Sequence, residues 1–139
     1  MKTKYFLIIM AIFIIACAGN KKLVKVTISD RESETTDSVE YELIVFDPGF
    51  ETWFLTHSKP QWYHSQQYYE SWNKQYVSAW NAKAISPRYG RIFETTIDYD
   101  YFTDYGLELN HKLFYYFQYV EKALEIDILP SGTAPHAVF

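Results

Sequence analysis

The chain has 139 residues, of which 13 are Lys or Arg and 17 are Asp or Glu, so its formal net charge at pH 7 is −4. Nucleic-acid binding rests on clustered Lys and Arg side chains that neutralise phosphates, so this mildly acidic balance argues against a nucleic-acid partner. The length suffices for one modest domain with its own hydrophobic core, and not for two.

The N-terminus has the build of a secretory signal. Lys2 and Lys4 precede an apolar segment, residues 5–16, which ends in a small residue directly before Cys17. A membrane-spanning helix needs about 20 apolar residues, and polar side chains return here at Asn20. We therefore predict that residues 1–16 are a signal peptide that is cleaved before Cys17.

Cys17 is the single cysteine of the chain. Residues 14–17, IIAC, resemble the bacterial lipobox, in which the cysteine thiol receives a diacylglyceryl group and the signal is cut just before it. The alternative is an ordinary secretory signal that happens to contain a cysteine. Lipidation accounts for a thiol that has no second cysteine to pair with in an oxidising compartment. Several fatty acyl chains such as palmitate give stable anchoring, so the membrane is the predicted partner of Cys17.

The residues that follow Cys17 predict the outer membrane, with the folded part facing the periplasm. Ala18 stands where an aspartate would favour retention in the inner membrane. Lys21 and Lys22 stand where surface-exported lipoproteins carry acidic residues. We therefore expect a protein of the cell envelope that is anchored in the outer membrane by lipid.

Residues 17–38 are predicted to comprise the lipid anchor and a flexible tether. No apolar residue occurs between Ile28 and Val39, and such a stretch cannot bury enough surface to offset its ordering entropy. Random-coil scaling gives the tether a typical span of about 25 Å. The alternative for residues 22–29, KLVKVTIS, is a short edge strand, because apolar side chains partly alternate there.

A globular domain is predicted for residues 39–129. Residues 39–47, VEYELIVFD, begin with alternation and end in an apolar run, which predicts a buried strand. The Asp-Pro-Gly sequence of residues 47–49 then predicts a turn. Residues 51–64 predict irregular structure, with a helical turn before Pro60 as an option.

The first strong helix is predicted to begin after Ser65, which can cap it, and to end before Ser86 and Pro87. Aromatic side chains recur along this helix at spacings of three and four residues: Tyr69, Trp72, Tyr76 and Trp80. Such a stripe is typical of a helix face that packs in the core.

The last helix is predicted for residues 105–125, with Asp104 as its N-cap and an apolar stripe of Leu109, Leu113, Phe117, Val120 and Leu124. Residues 91–106 predict a second strand or an extended loop, and residues 126–129 could add a short strand. Residues 130–139 are predicted to be a loose C-terminal tail. One strand and two main amphipathic helices indicate an α+β fold, a single small domain with a small sheet.

Three long strings of the domain resemble a family of short, uncharacterised lipoproteins of Gram-negative bacteria, a domain of unknown function: ELIVFDPGFETWF, YYESWNKQYVSAWN and IDYDYFTDYGLELNHKLFYYFQYVE. The resemblance covers residues 42–121 together with the lipobox. It implies an envelope location and a single domain, and it carries over no catalytic residue and no ligand.

Motifs for metal binding or nucleophilic catalysis are missing from the sequence. Counted from Asp98, an EF-hand would need oxygen ligands at positions that Phe102 and Leu109 occupy. The histidines lack the H-x-x-x-H spacing of zinc ligands, and there is no G-x-S-x-G elbow or glycine-rich phosphate loop. We therefore predict no metal, no cofactor and no catalytic residue. A looser calcium or magnesium site at Asp98, Asp100 and Asp104 is the alternative.

The candidate ligand-binding residues are Trp53, Trp62 and Tyr63, which lie on irregular chain among polar neighbours. Exposed aromatic faces stack on sugar rings and also anchor protein partners. We therefore predict a lipid-anchored binding or scaffold module without enzymatic activity, whose partner is an envelope protein or an envelope glycan.

A small hydrolase is the alternative function. It would act on envelope glycan or peptide through a pair of carboxylates at hydrolytic separation. The sequence offers Asp47 with Glu51 and Asp98 with Asp100 as such pairs, but spacing alone does not certify either of them.

Overall fold

The structure, a computed structural model, describes residues 26–32 and 39–135. This part of the chain forms a two-stranded antiparallel sheet and three α-helices: β1 (Val26–Glu32), β2 (Val39–Val45), α1 (Pro48–His57), α2 (Gln66–Ala84) and α3 (Gly106–Lys122). A short 3₁₀ helix, Gln61–Tyr63, lies between α1 and α2. The predicted small α+β domain is thus confirmed.

Strand β1 corrects part of the predicted tether. It lies within residues 17–38 and pairs with β2 in antiparallel register, with Ile28 opposite Leu43. The edge-strand alternative, made for residues 22–29, is therefore right for residues 26–29, and the strand continues to Glu32. The ladder pairs the backbone groups that face β2, and Ile28 packs against the core. Cys17, the signal peptide and the rest of the predicted tether lie outside the described residues.

Helix α1 replaces the turn predicted at residues 47–49. The Asp47 side chain caps the helix by accepting a hydrogen bond from the Gly49 backbone N–H at 2.8 Å, and Pro48 occupies the first turn. Aspartate, proline and glycine favour turns and helix N-termini alike, so packing decides between them. A Cβ on Gly49 would lie 2.7 Å from the Tyr119 hydroxyl, which shows how closely α1 approaches α3.

Helix α2 follows the prediction closely. The Ser65 hydroxyl accepts a hydrogen bond from the Tyr68 backbone N–H at 3.2 Å, and the helix ends at Ala84, before Ser86 and Pro87. Of the aromatic stripe, Tyr69, Tyr76 and Trp80 are buried and Trp72 is half-buried against the core. The prediction that this face packs in the core is confirmed.

Helix α3 is the centre of the fold. It packs against α1, α2 and β2, and between Leu109 and Val120 every side chain except Lys112 is buried. The N-cap position is Tyr105 rather than the predicted Asp104, although the Asp104 carboxylate still accepts a hydrogen bond from the first helical N–H at 2.9 Å. Four members of the predicted stripe are buried on α3: Leu109, Leu113, Phe117 and Val120. The fifth, Leu124, lies beyond the end of the helix at Lys122, and the surface that α3 buries is wider than the stripe.

Helices α2 and α3 run in the same direction. The Gln66 amide, at the start of α2, donates to the Asp104 carboxylate just before α3, and the Tyr76 hydroxyl donates to the Glu121 carboxylate farther along both helices. Because both helices advance together, their N-terminal ends lie at the same end of the domain. The connection from residue 85 to residue 105 has to return along the domain to allow this.

That connection is an extended loop with turns, and residues 126–129 form no strand either. Side chains satisfy the backbone in both places. The Asn81 amide donates to the Ile97 carbonyl at 3.0 Å and accepts from the Ile97 N–H at 2.7 Å. The Glu121 carboxylate accepts from the backbone N–H groups of Ile128 and Leu129. A neighbouring strand is thus not needed, and the predicted extra strand at residues 126–129 is wrong.

Part of the predicted C-terminal tail is held against the domain. The Thr133 backbone N–H donates to the Pro130 carbonyl at 3.1 Å, and Pro135 is buried. Residues 136–139 lie outside the described residues.

Candidate functional site

The structure places the three predicted ligand-binding residues in two environments. Trp53 lies on α1 and is half-buried, with its indole stacked on His57 at 4.7 Å and close to Tyr119 at 5.5 Å. Trp62 and Tyr63 lie on the 3₁₀ helix, where their side chains are 78% and 45% exposed. Trp53 therefore contributes to packing, whereas Trp62 and Tyr63 stand on the surface.

Two further rings extend this exposed surface. Tyr63 meets His64 edge-on at 4.7 Å, and His64 stacks on Tyr68 with ring centroids 3.8 Å apart. We call the side chains of Trp62, Tyr63, His64 and Tyr68 the aromatic patch. It lies at the N-terminal end of α2.

His64 and Tyr68 were not predicted as site residues. The available signal was the helix cap: Ser65 as N-cap places His64 directly before the helix, where a side chain packs against the first turn. The structure shows this contact, with the His64 and Tyr69 rings 5.8 Å apart. With Ser65 as the cap, His64 before the helix contacts Tyr68 and Tyr69 in its first turns.

The backbone that leads to the patch is held by two side chains of α3. The Lys59 N–H donates to the Tyr115 hydroxyl at 2.9 Å, and the His111 Nε2–H donates to the Lys59 carbonyl at 2.7 Å. We call these two hydrogen bonds the Lys59 clamp. The 3₁₀ helix starts directly after it, with the Tyr63 N–H donating to the Pro60 carbonyl. The patch is therefore carried on backbone that is fixed to the core.

The patch lies in a stretch of chain without charged residues. Residues 60–69, PQWYHSQQYY, contain aromatic, amide, hydroxyl and imidazole side chains, and the exposed amides belong to Gln61 and Gln67. Burial lowers the pKa of His64, which favours its neutral form at pH 7, and burial raises the pKa of Tyr68. The side chains of this stretch are thus apolar or neutral, and the carboxylates of Glu70 and Asp104 adjoin it through hydrogen bonds from the Gln66 amide.

Three of the four carboxylates considered for a hydrolase, Asp47, Glu51 and Asp100, have structural roles. Asp47 caps α1, and Glu51 forms an ion pair of 2.7 Å with Lys112. Asp100 accepts hydrogen bonds from the Phe102 N–H and the Thr103 hydroxyl, which lower the pKa of its carboxyl group. These roles give the hydrolase alternative no support.

Two clefts lie away from the aromatic patch. One, of about 460 Å³, opens between β2 and the first turns of α3 and is lined in part by Tyr41, Asp104 and Glu108. The other, of about 360 Å³, lies between the C-terminal part of α2 and residues 125–131. Neither cleft includes a residue of the patch.

Over residues 26–32 and 39–135, no three or more His, Cys, Asp or Glu side chains come together in a way that could hold a metal ion. Within the same ranges, no helix has the length and apolar character needed to cross a membrane.

His111 makes the stability of the domain sensitive to acid. Its ring is 3% exposed, and its Nδ1 has no hydrogen-bond partner among the described residues. Burial lowers the pKa of His111, against the opposing effects of its hydrogen bond to Lys59 and of nearby Glu108. The unfolded chain binds a proton at His111 near pH 6.5, whereas the folded state binds it only at lower pH. We expect the free energy of unfolding to decrease as pH falls below about 6.5.

Urea unfolding of the full chain between about pH 8 and about pH 5 measures this effect. The matched variant is His111→Gln, whose amide retains a donor for the Lys59 carbonyl and does not titrate. The decrease at acidic pH should be smaller in this variant. An identical pH dependence in both proteins would show that His111 is not the responsible group.

The fold and the site together define a small α+β domain, built around one buried helix, that presents an aromatic patch on a fixed backbone. The chain belongs to the family of unknown function DUF6146, whose model matches residues 5–131. The expectation of an uncharacterised family is thereby confirmed. A comparison with curated proteins and one with solved structures found no match.

Proposed function

We propose that this protein is a lipid-anchored protein of the cell envelope whose folded domain is a non-enzymatic binding module. The lipid is attached to Cys17, and the domain faces the periplasm from the outer membrane. The lipobox-like residues 14–17 and the residues after Cys17 support the anchor and its location. The aromatic patch is the observation that supports the binding function.

Exposure is the first argument for binding. Burying a large apolar side chain lowers the free energy. The Trp62 side chain is 78% exposed to water in the domain alone, so a ligand that covers it would bind favourably. Tryptophan and tyrosine are also the residue types that contribute most to binding where they become buried in an interface. The patch groups such residues within seven positions of the chain, residues 62–68.

Rigidity is the second argument. The Lys59 clamp, the Ser65 cap and the stacking of His64 on Tyr68 fix the backbone and two of the rings before any ligand arrives. A surface that is ordered in advance loses less conformational entropy on binding. A flexible scaffold or spacer would have no need of such fixation.

Photo-crosslinking in living cells tests this proposal. The full-length chain carries a photoreactive amino acid at Gln67, which is exposed beside the patch, or at Ser78, which is exposed farther along α2. We expect an adduct of higher mass from position 67 and none from position 78. The photoreactive group inserts into C–H bonds, so it captures a protein or a glycan alike.

Two variants serve as controls in the same cells. The double change Trp62→Ala and Tyr63→Ala should abolish the adduct from position 67, and Cys17→Ser should abolish incorporation of a labelled fatty acid. Lack of any adduct at position 67 in the anchored, folded protein would contradict the binding function. Fatty-acid labelling that persists in Cys17→Ser would contradict the anchor.

A further inference from the structure

The chemistry around the aromatic patch narrows the class of ligand. The ten residues 60–69 carry no Lys, Arg, Asp or Glu, although 22% of the whole chain is charged. Binding of phosphates, nucleic acid or anionic lipid requires clustered cations, which this surface does not supply. Recognition of a basic peptide would require carboxylates, and residues 60–69 carry none. The neighbouring carboxylates of Glu70 and Asp104 accept hydrogen bonds from the Gln66 amide at 2.8 Å and 2.6 Å.

Neutral sugar rings match what the patch does supply. A pyranose ring presents a flat face of C–H groups, and the negative face of an aromatic ring attracts their partial positive charge. Its hydroxyl groups both donate and accept hydrogen bonds, as do side-chain amides. Gln61 and Gln67 are exposed, and they stand next to Trp62 and Tyr68 in the chain.

The arrangement of the rings also fits an extended ligand. Tyr63 stands at 80° to His64, and His64 lies within 20° of parallel to Tyr68. The patch thus offers aromatic surfaces in two orientations, on successive residues, over a backbone held by the Lys59 clamp. His64 and Tyr68 cover one face of each other by stacking, so the exposed rings of Trp62 and Tyr63, adjacent in the chain, are the ones that can contact successive rings of a chain-like ligand.

We propose that the aromatic patch binds successive rings of a neutral oligosaccharide, an inference that rests on the proposed binding function. Trp62 and Tyr63 stack on the sugar faces, and the Gln61 and Gln67 amides bond the hydroxyl groups. His64 contacts the Tyr63 ring edge-on and is itself stacked on Tyr68, so these two residues hold the Tyr63 ring in place. A glycan, rather than a protein, is then the envelope component that the domain recognises.

Isothermal titration calorimetry of the full chain in detergent tests this inference. The neutral probes are oligomers of β-1,4-linked N-acetylglucosamine, α-1,4-linked glucose, α-1,6-linked mannose and β-1,4-linked galactose. The anionic probes are oligogalacturonate and a heparin oligosaccharide. We expect saturable binding of at least one neutral probe, tighter than that of either anionic probe.

Alanine variants show whether the binding belongs to the patch. Trp62→Ala and Tyr63→Ala should each weaken binding at least about tenfold. Leu55→Ala, at an equally exposed apolar side chain of α1 that is 80% accessible, should leave binding unchanged. All three side chains are exposed, so the variants should fold, and circular dichroism verifies this.

Three results would overturn the inference: no saturable binding of any neutral probe at millimolar concentration, tighter binding of an anionic probe, or equal weakening by Leu55→Ala. The photo-crosslinking experiment separates this failure from failure of the proposed function. A protein adduct at position 67 without oligosaccharide binding leaves a binding module whose ligand is a protein. No adduct and no oligosaccharide binding overturns both proposals.

Discussion

Replacing Trp80 with alanine should lower the free energy of unfolding by about 3–5 kcal/mol. The Trp80 indole is 1% exposed and packs edge-on against Phe93 at 4.7 Å. Its Nε1–H donates to the Thr95 carbonyl at 2.8 Å. The change would leave a cavity between α2 and the returning loop, together with a carbonyl that has lost its donor.

Urea unfolding of the purified full chain, followed by circular dichroism, measures this loss. Trp62→Ala is the matched control, because it removes the same side chain from an exposed position, and it should change stability by less than about 0.5 kcal/mol. If the two variants were equally destabilised, Trp80 could not occupy the core position described above.

The second large effect is expected for Asn110→Ala, at about 2–4 kcal/mol of lost stability. Asn110 is fully buried on α3, and its Oδ1 accepts hydrogen bonds from the Tyr99 hydroxyl at 2.7 Å and the Asn73 amide at 3.1 Å. Its Nδ2 donates to the Gly106 carbonyl at 2.8 Å. Alanine would leave the buried Tyr99 hydroxyl without its partner and would remove one hydrogen bond each from the Asn73 amide, which keeps its bond to the Asn110 backbone carbonyl at 2.9 Å, and from the Gly106 carbonyl.

A double-mutant cycle with Tyr99→Phe tests whether the loss comes from this network. Tyr99→Phe keeps the ring and removes one hydrogen bond, so by itself it should cost about 1 kcal/mol. In the Asn110→Ala background the hydroxyl is already unpaired, and the same change should cost less or become stabilising. Additive effects of the two changes would contradict direct coupling between these residues.

The two long helices could be predicted because their signals are local. In α2, Ser65 marks the start, Pro87 stands beyond the end, and the aromatic spacing from Tyr69 to Trp80 defines the buried face. The Asp-Pro-Gly sequence at residues 47–49 was ambiguous, since it suits a turn as well as a helix N-terminus. The helix is favoured because it buries Phe50 against Tyr116 of α3. These two residues are far apart in the sequence, so the local pattern does not reveal their contact.

The exposure of Trp62 and Tyr63 could be predicted from the local sequence, whereas the contacts that hold their backbone could not. Their polar neighbours indicated exposed chain, and both side chains are exposed. Trp53 has similar neighbours, but α1 turns it toward Tyr119. In the Lys59 clamp, Lys59 bonds to His111 and Tyr115, which lie 52 and 56 positions later in the chain. The local sequence of neither segment predicts these contacts.

In the lipid-anchored form proposed above, the position of β1 limits how far the domain can lie from the lipid on Cys17. Val26 stands nine positions after Cys17, and nine residues at roughly 3.3–3.6 Å each reach at most about 30 Å. If the tether ran on to Val39, its 22 positions would reach about 75 Å. Compared with a tether of 22 positions, the tether of nine positions raises the effective concentration of a ligand on the same membrane about fourfold. A domain held so closely is suited to search the surface that anchors it, and a ligand on a more distant layer of the envelope would have to come to it.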